Sequence, residues 1–92
     1  MKMEDKLARL RAELLEHDLR FIAMLSDRHQ IVAAIGALKS IDGIPILQTD
    51  AFNIMQEKRM TFAREKGISE ELIQQLFALI HKDSISQQEN QQ

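Results

Sequence analysis

Apolar residues recur every seven positions along the first forty residues. Leu7, Leu14, Phe21 and Ile35 lie on one track; Leu10, Met24, Ile31 and Leu38 lie on a second. Two interleaved tracks of this period make a coiled-coil-like seam on a helix. Neither Gly nor Pro interrupts the pattern before Gly36, so a helix over about Glu4–Lys39 is expected. Ser40-Ile41-Asp42-Gly43-Ile44-Pro45 and Lys66-Gly67-Ile68-Ser69 then divide the chain. The segments between and beyond them predict helices over about Thr49–Lys66 and about Ser69–Gln88. Thr49 and Ser69 precede carboxylates (Asp50; Glu70 and Glu71), as N-caps ahead of acidic first turns do. Gly67 reads as the glycine just past a helix end, and the polar tail Gln87–Gln92 is expected to fray. The fold class is therefore all-α, with one long and two shorter helices in a single domain over residues 1–92. A helix of thirty-odd residues spans about 50 Å, more than two short helices can cover. Its remaining apolar stripe needs another chain, and dimerisation is the simplest way to provide it.

Composition narrows the function classes. The chain has 92 residues, with 12 Lys+Arg against 14 Asp+Glu, a formal net charge of −2. A basic excess, the usual mark of nucleic-acid or anionic-membrane binding, is missing, so neither partner is expected. No cysteine is present, which removes disulfides and thiolate chemistry. No stretch approaches the ~20 apolar residues of a membrane span. The start, Met1-Lys2-Met3-Glu4-Asp5-Lys6, has no signal-peptide character, so a cytoplasmic location is expected.

Candidate chemistry lies where polar residues interrupt the apolar stripes. Arg28 falls on the first track, between Phe21 and Ile35, where a permanent charge is costly unless an anion meets it. Lys39, eleven residues on, lies only about 20° from Arg28 around the axis and about 16 Å along it. The two could hold a small dianion between them. Alternatively, Arg28 snorkels or pairs with a neighbouring carboxylate, and Lys39 complements the helix C-terminus. In the third helix, the stripe Ile73, Leu76/Phe77, Ile80 continues as Ser84 and Gln88. These are uncharged groups able to give directed hydrogen bonds in a dry pocket, or else the start of a fraying end. Arg11, 28 residues before Lys39, is about 42 Å away along a straight helix, so it could reach such a site only from a partner chain. His17, His29 and His81 lack metal-ligand spacing, and no metal or cofactor is expected. The five methionines read as gap-filling core or terminus residues.

Together these residues resemble the all-helical class of chorismate mutases. The resemblance runs from Leu7 to Gln88. Leu10-Arg11 with His17-Asp18, Asp27-Arg28-His29, Gly36-Ala37-Leu38-Lys39, the Ile44-Pro45 loop, and Asp83-Ser84-Ile85 with Gln88 carry it. It implies an intertwined homodimer with two identical sites, each completed by the partner's first helix. It also implies rearrangement of chorismate to prephenate, a step in aromatic amino acid biosynthesis, without cofactor or metal. By the same analogy Arg28 and the partner's Arg11 hold the two substrate carboxylates, with Ser84 helping on the ring carboxylate. Lys39 and Gln88 donate to the ether oxygen, and position 48 makes a main-chain contact that Gln48 can keep.

The chain departs from the family pattern where the second helix begins. Positions that usually carry an acidic residue and then Arg-Glu read Gln48, Ala51 and Phe52. The family glutamate at position 52 accepts a hydrogen bond from the C4 hydroxyl of the substrate, and Phe52 cannot. Isochorismate pyruvate lyases, which resemble this chain in the Ile44-Pro45 loop and in small apolar residues near 51 and 52, act on a substrate without that hydroxyl. A 4-amino-4-deoxychorismate mutase, or a catalytically degenerate dimeric binding module, would fit the same departure.

Overall fold

A computed structural model describes residues 2–91. They form three helices: α1 Met3–Asp42, α2 Thr49–Glu65 and α3 Glu70–Gln91. No strand occurs among the described residues, so the all-helical expectation holds. α1 runs three residues past its expected end and stops where Gly43 adopts φ 69°, with the Ile44 N–H bonded to the Lys39 carbonyl at 2.8 Å. α2 closes the same way. Gly67 has φ 69°, its N–H reaches the Arg64 carbonyl at 3.2 Å, and the Ile68 N–H reaches the Ala63 carbonyl at 2.8 Å. These are Schellman pairings, which spend the last carbonyls of a helix on a left-handed residue.

Two sequence expectations fail at helix ends. Thr49 is the first helical residue of α2, not its cap; Gln48 occupies the cap position with extended backbone and no side-chain capping bond. Ser69 does cap α3, its Oγ accepting the Leu72 N–H at 3.2 Å. The polar tail remains helical through Gln91. Gln88 is buried there, and Gln91 Nε2 donates to the Ala33 carbonyl at 3.0 Å. Tertiary anchorage overrides the fraying that composition alone suggests.

The chain divides into two units, with the boundary after Ile31. The first is the N-terminal part of α1. Its seam residues Leu7, Leu10, Leu14, Phe21, Met24 and Ile31 are 45–66% exposed. Leu15, Leu19 and Ile22 are exposed as well, on a second face about 130° around the helix from the seam. In α2, Met55 is exposed as well, which corrects its reading as a core residue.

The second unit holds the end of α1 together with α2 and α3. α2 packs on α3, with Arg59 over the Phe77 ring at 4.3 Å and an Arg64–Glu70 ion pair at the turn. Val32 and Ala63 are its buried apolar residues, and Ser84 and Gln88 are buried as well. So small an apolar interior, with polar groups inside it, means the geometry here rests heavily on hydrogen bonding. Among the described residues, no helix is long and apolar enough to cross a membrane.

Candidate active site

Lys39 sits one turn before the end of α1, and both its ends are engaged. Its carbonyl takes the Ile44 N–H, while its Nζ turns back to donate to the Ile46 carbonyl and to Gln88 Oε1 at 2.9 Å. The ammonium thus ties the connecting segment and α3 to the end of α1. It carries three N–H groups, so one remains for a ligand. Burial lowers its pKa from the usual lysine value, because desolvation penalises the charged form.

Gln88 is only 5% exposed. Its oxygen faces Lys39, which directs its amide N–H₂ the other way, toward the Ser84 carbonyl at a long 3.4 Å. A weakly held buried donor beside a cation can serve an oxygen that gains negative charge. Ser84, equally buried, gives its hydroxyl to the Ile80 carbonyl at 2.9 Å. To donate to a carboxylate it would have to rotate away from that carbonyl.

Gly36 lies against the side chains of Gln88 and Gln91. A Cβ built on it would lie 2.5 Å from Gln91 Oε1 and 3.2 Å from Gln88 Cγ. A side chain at position 36 would require Gln91 to move aside and Gln88 to shift by a few tenths of an ångström.

At the start of α2, the Gln48 carbonyl accepts the Phe52 N–H at 3.1 Å, the first bond of the helix. Any main-chain donation from position 48 therefore falls to its N–H, at the positive end of α2. Phe52 is half-buried and stacks on His81, with ring centroids 4.2 Å apart and planes tilted by 32°. Sequence reasoning passed over His81. Its position three residues before Ser84 on one helix face was a usable signal, but its pairing with a residue of another helix was not.

The structure brings together Lys39, Ser84 and Gln88 on one side of the second unit, with Gln48 and Phe52 on the adjoining helix. Arg11 and Arg28 belong to the first unit. Arg11 is exposed. Arg28 is half-buried and has interactions of its own. His17 is exposed and hydrogen-bonded to the Glu13 carbonyl at 3.0 Å; His29 is exposed too.

A lysine at the end of a long helix, bonded to a buried glutamine on a third helix, defines an all-helical protein with a compact polar site. This chain belongs to the chorismate mutase type II family, whose profile matches residues 10–89. It is similar to the bifunctional chorismate mutase/prephenate dehydratases of Escherichia coli K12 and of Shigella flexneri. The identity is 26% over 89 residues in each case, covering 97% of this chain and 23% of theirs. The chain thus spans about a quarter of the length of these curated relatives.

Proposed function

We propose that the protein is a chorismate mutase, catalysing the [3,3] rearrangement of chorismate to prephenate. The observation that carries this reading is the bond of 2.9 Å from Lys39 Nζ to buried Gln88 Oε1. In the rearrangement the ether C–O bond breaks as a C–C bond forms, within one molecule. No nucleophile or base is required. What is required is a compact, chair-like conformer and stabilisation of charge on the departing ether oxygen. The free N–H of Lys39 and the amide N–H of Gln88 supply two donors for that oxygen. Both are fixed before substrate arrives, so little reorganisation is needed during reaction.

The substrate's two carboxylates need cations. Arg28 and Arg11 of the partner subunit fill that role in this proposal, with Ser84 and the Gln48 main chain assisting. The exposed faces of α1 support a homodimer in which each first helix serves the other chain's site. Prephenate formation would place the enzyme in aromatic amino acid biosynthesis.

Phe52 favours a second reading, isochorismate pyruvate lyase. Its ring offers no acceptor to a C4 hydroxyl, and isochorismate has no hydroxyl there. The deciding experiment is turnover of chorismate, isochorismate and 4-amino-4-deoxychorismate by purified protein, with products separated by chromatography. Prephenate from chorismate supports the first reading; pyruvate and salicylate from isochorismate support the second. Conversion of none of them would leave a binding module.

A further inference from the structure

We propose that Gln91 is a positioning residue: by tying the last turn of α3 to α1, it holds the Gln88 amide where the reaction needs a donor. The inference rests on the chorismate mutase reading above and goes beyond it, because Gln91 acts through Gln88 and not on the substrate.

The need for an anchor comes from where Gln88 lies. It stands in the last turn of α3, within Gln87-Gln88-Glu89-Asn90-Gln91, a run with no apolar residue. No basic side chain in that turn meets the negative end of the helix dipole. The last carbonyls of a helix have no partners within it, and an end of this composition opens readily. Each opening carries the Gln88 backbone, and the donor with it, out of register with Lys39. A catalytic amide placed here works only as well as the turn is held.

Gln91 supplies the hold. Its Nε2 donates to the Ala33 carbonyl at 3.0 Å, across 58 positions of sequence. Its Oε1 rests on Gly36, where a Cβ would come within 2.5 Å of it. Gln88 touches the same glycine through Cγ and reaches Lys39 through Oε1 at 2.9 Å. The two glutamines, one turn apart on α3, thus grip α1 on either side of Gly36: Gln91 toward Ala33, Gln88 toward Lys39. Gln91 is exposed, so its bond competes with water and is worth the modest net value of such bonds. That suffices to bias a turn that is close to opening.

Gln, Met, Glu and Lys are comparable helix formers, so exchanging them at position 91 leaves local propensity nearly unchanged. Gln91→Met keeps the length and removes the donor. Gln91→Glu also lacks a donor, and Gln91→Lys restores one with sufficient reach. Asn90→Ala, at an exposed neighbour in the same turn, is the control. Two quantities are read. One is kcat and KM on whichever of chorismate, isochorismate and 4-amino-4-deoxychorismate the wild type converts. The other is backbone amide exchange over residues 88–91, which reports opening of the turn without any substrate. One net hydrogen bond changes the closed-to-open ratio roughly 2- to 12-fold, so exchange in Gln91→Met should rise by about that factor. Its kcat should fall about threefold or more, with KM within about twofold, since the carboxylate contacts are untouched. Gln91→Lys should recover most of the kcat, and Asn90→Ala should match the wild type. Should circular dichroism show Gln91→Met unfolded, Gln91→Glu carries the same contrast. Unchanged kcat, a loss confined to KM, a kcat loss without faster exchange, or an equal loss in Gln91→Lys or Asn90→Ala would overturn the role of Gln91 while leaving the mutase reading intact. A wild type inert toward all three substrates would remove that reading, and this role with it.

Discussion

At the residue scale, Lys39 is held from two sides. Two of its N–H groups are committed, to the Ile46 carbonyl and to Gln88. In the proposed reaction the third meets an oxygen whose charge is greater in the transition state than in the ground state. Lys39→Ala should therefore reduce kcat far more than it raises KM. The loss should be about 10²–10³-fold, the usual cost of one charge-stabilising donor. A variant with unchanged kcat would assign Lys39 a purely structural role.

The lowered pKa of Lys39 gives a second residue-scale prediction. Donation requires the ammonium, so kcat/KM should fall as pH rises through the lowered value, below the usual 10.5 of lysine. A bound dianion favours the charged form, so the alkaline limb of kcat should lie at higher pH than that of kcat/KM. Stability moves the opposite way. Between the lowered folded value and 10.5, the unfolded chain holds a proton that the folded chain has released. Folding stability from this group therefore rises with pH across that window. Rate profiles in both parameters, with melting curves at each pH, test the pair of signs. A kcat/KM limb at or above the ordinary lysine range would contradict the first.

At the element scale, the contact between the end of α1 and the end of α3 decides whether the site exists. Alanine at position 36 would gain helix propensity of about 1 kcal/mol over glycine. Its Cβ would also meet Gln91 Oε1 and Gln88 Cγ. Gln91 is exposed and can swing aside; Gln88 is buried and must shift by a few tenths of an ångström. Gly36→Ala should thus change the melting temperature little and lower kcat by about tenfold, through misplacement of the Gln88 amide. Adding Gln91→Ala should recover only a small part of the activity. Full activity in Gly36→Ala would mean that the α1–α3 approach does not position the donor.

At the scale of the whole molecule, the exposed apolar residues of α1 outnumber the buried apolar residues among those described. They lie on two faces of the helix, so a partner that covers only the seam leaves Leu15, Leu19 and Ile22 in water. Covering half-exposed Leu or Phe side chains is worth about 1 kcal/mol each. Association costs roughly 4–15 kcal/mol, so many must be covered together. An intertwined homodimer meets that demand. Sedimentation at micromolar concentration should give a folded dimer and no folded monomer. Mixing Arg11→Ala with Arg28→Ala subunits should restore activity, because one of the two sites in a mixed dimer carries neither change. Proven subunit exchange without recovered activity would place both arginines in sites of their own chain.

Much of this was already decided by the sequence. The seven-residue apolar repeat, the two glycine-marked breaks and the Ser69 cap specify three helices, since each depends on local backbone geometry and spacing. The same spacing put Lys39, Ser84 and Gln88 forward as candidates, and family resemblance joined them. Local signals ran out where partners lie far apart along the chain. Gln87–Gln92 reads as a fraying tail until Gln91 is seen bonded to Ala33 and Gln88 to Lys39. Thr49 has the right chemistry for a cap, but the cap position falls one residue earlier, on Gln48 backbone geometry. His81 carries no sequence signal strong enough to pair it with Phe52, 29 positions away. Helix formation is a property of neighbouring residues; the burial of Gln88, the close approach at Gly36 and the stack on His81 arise only when the helices pack.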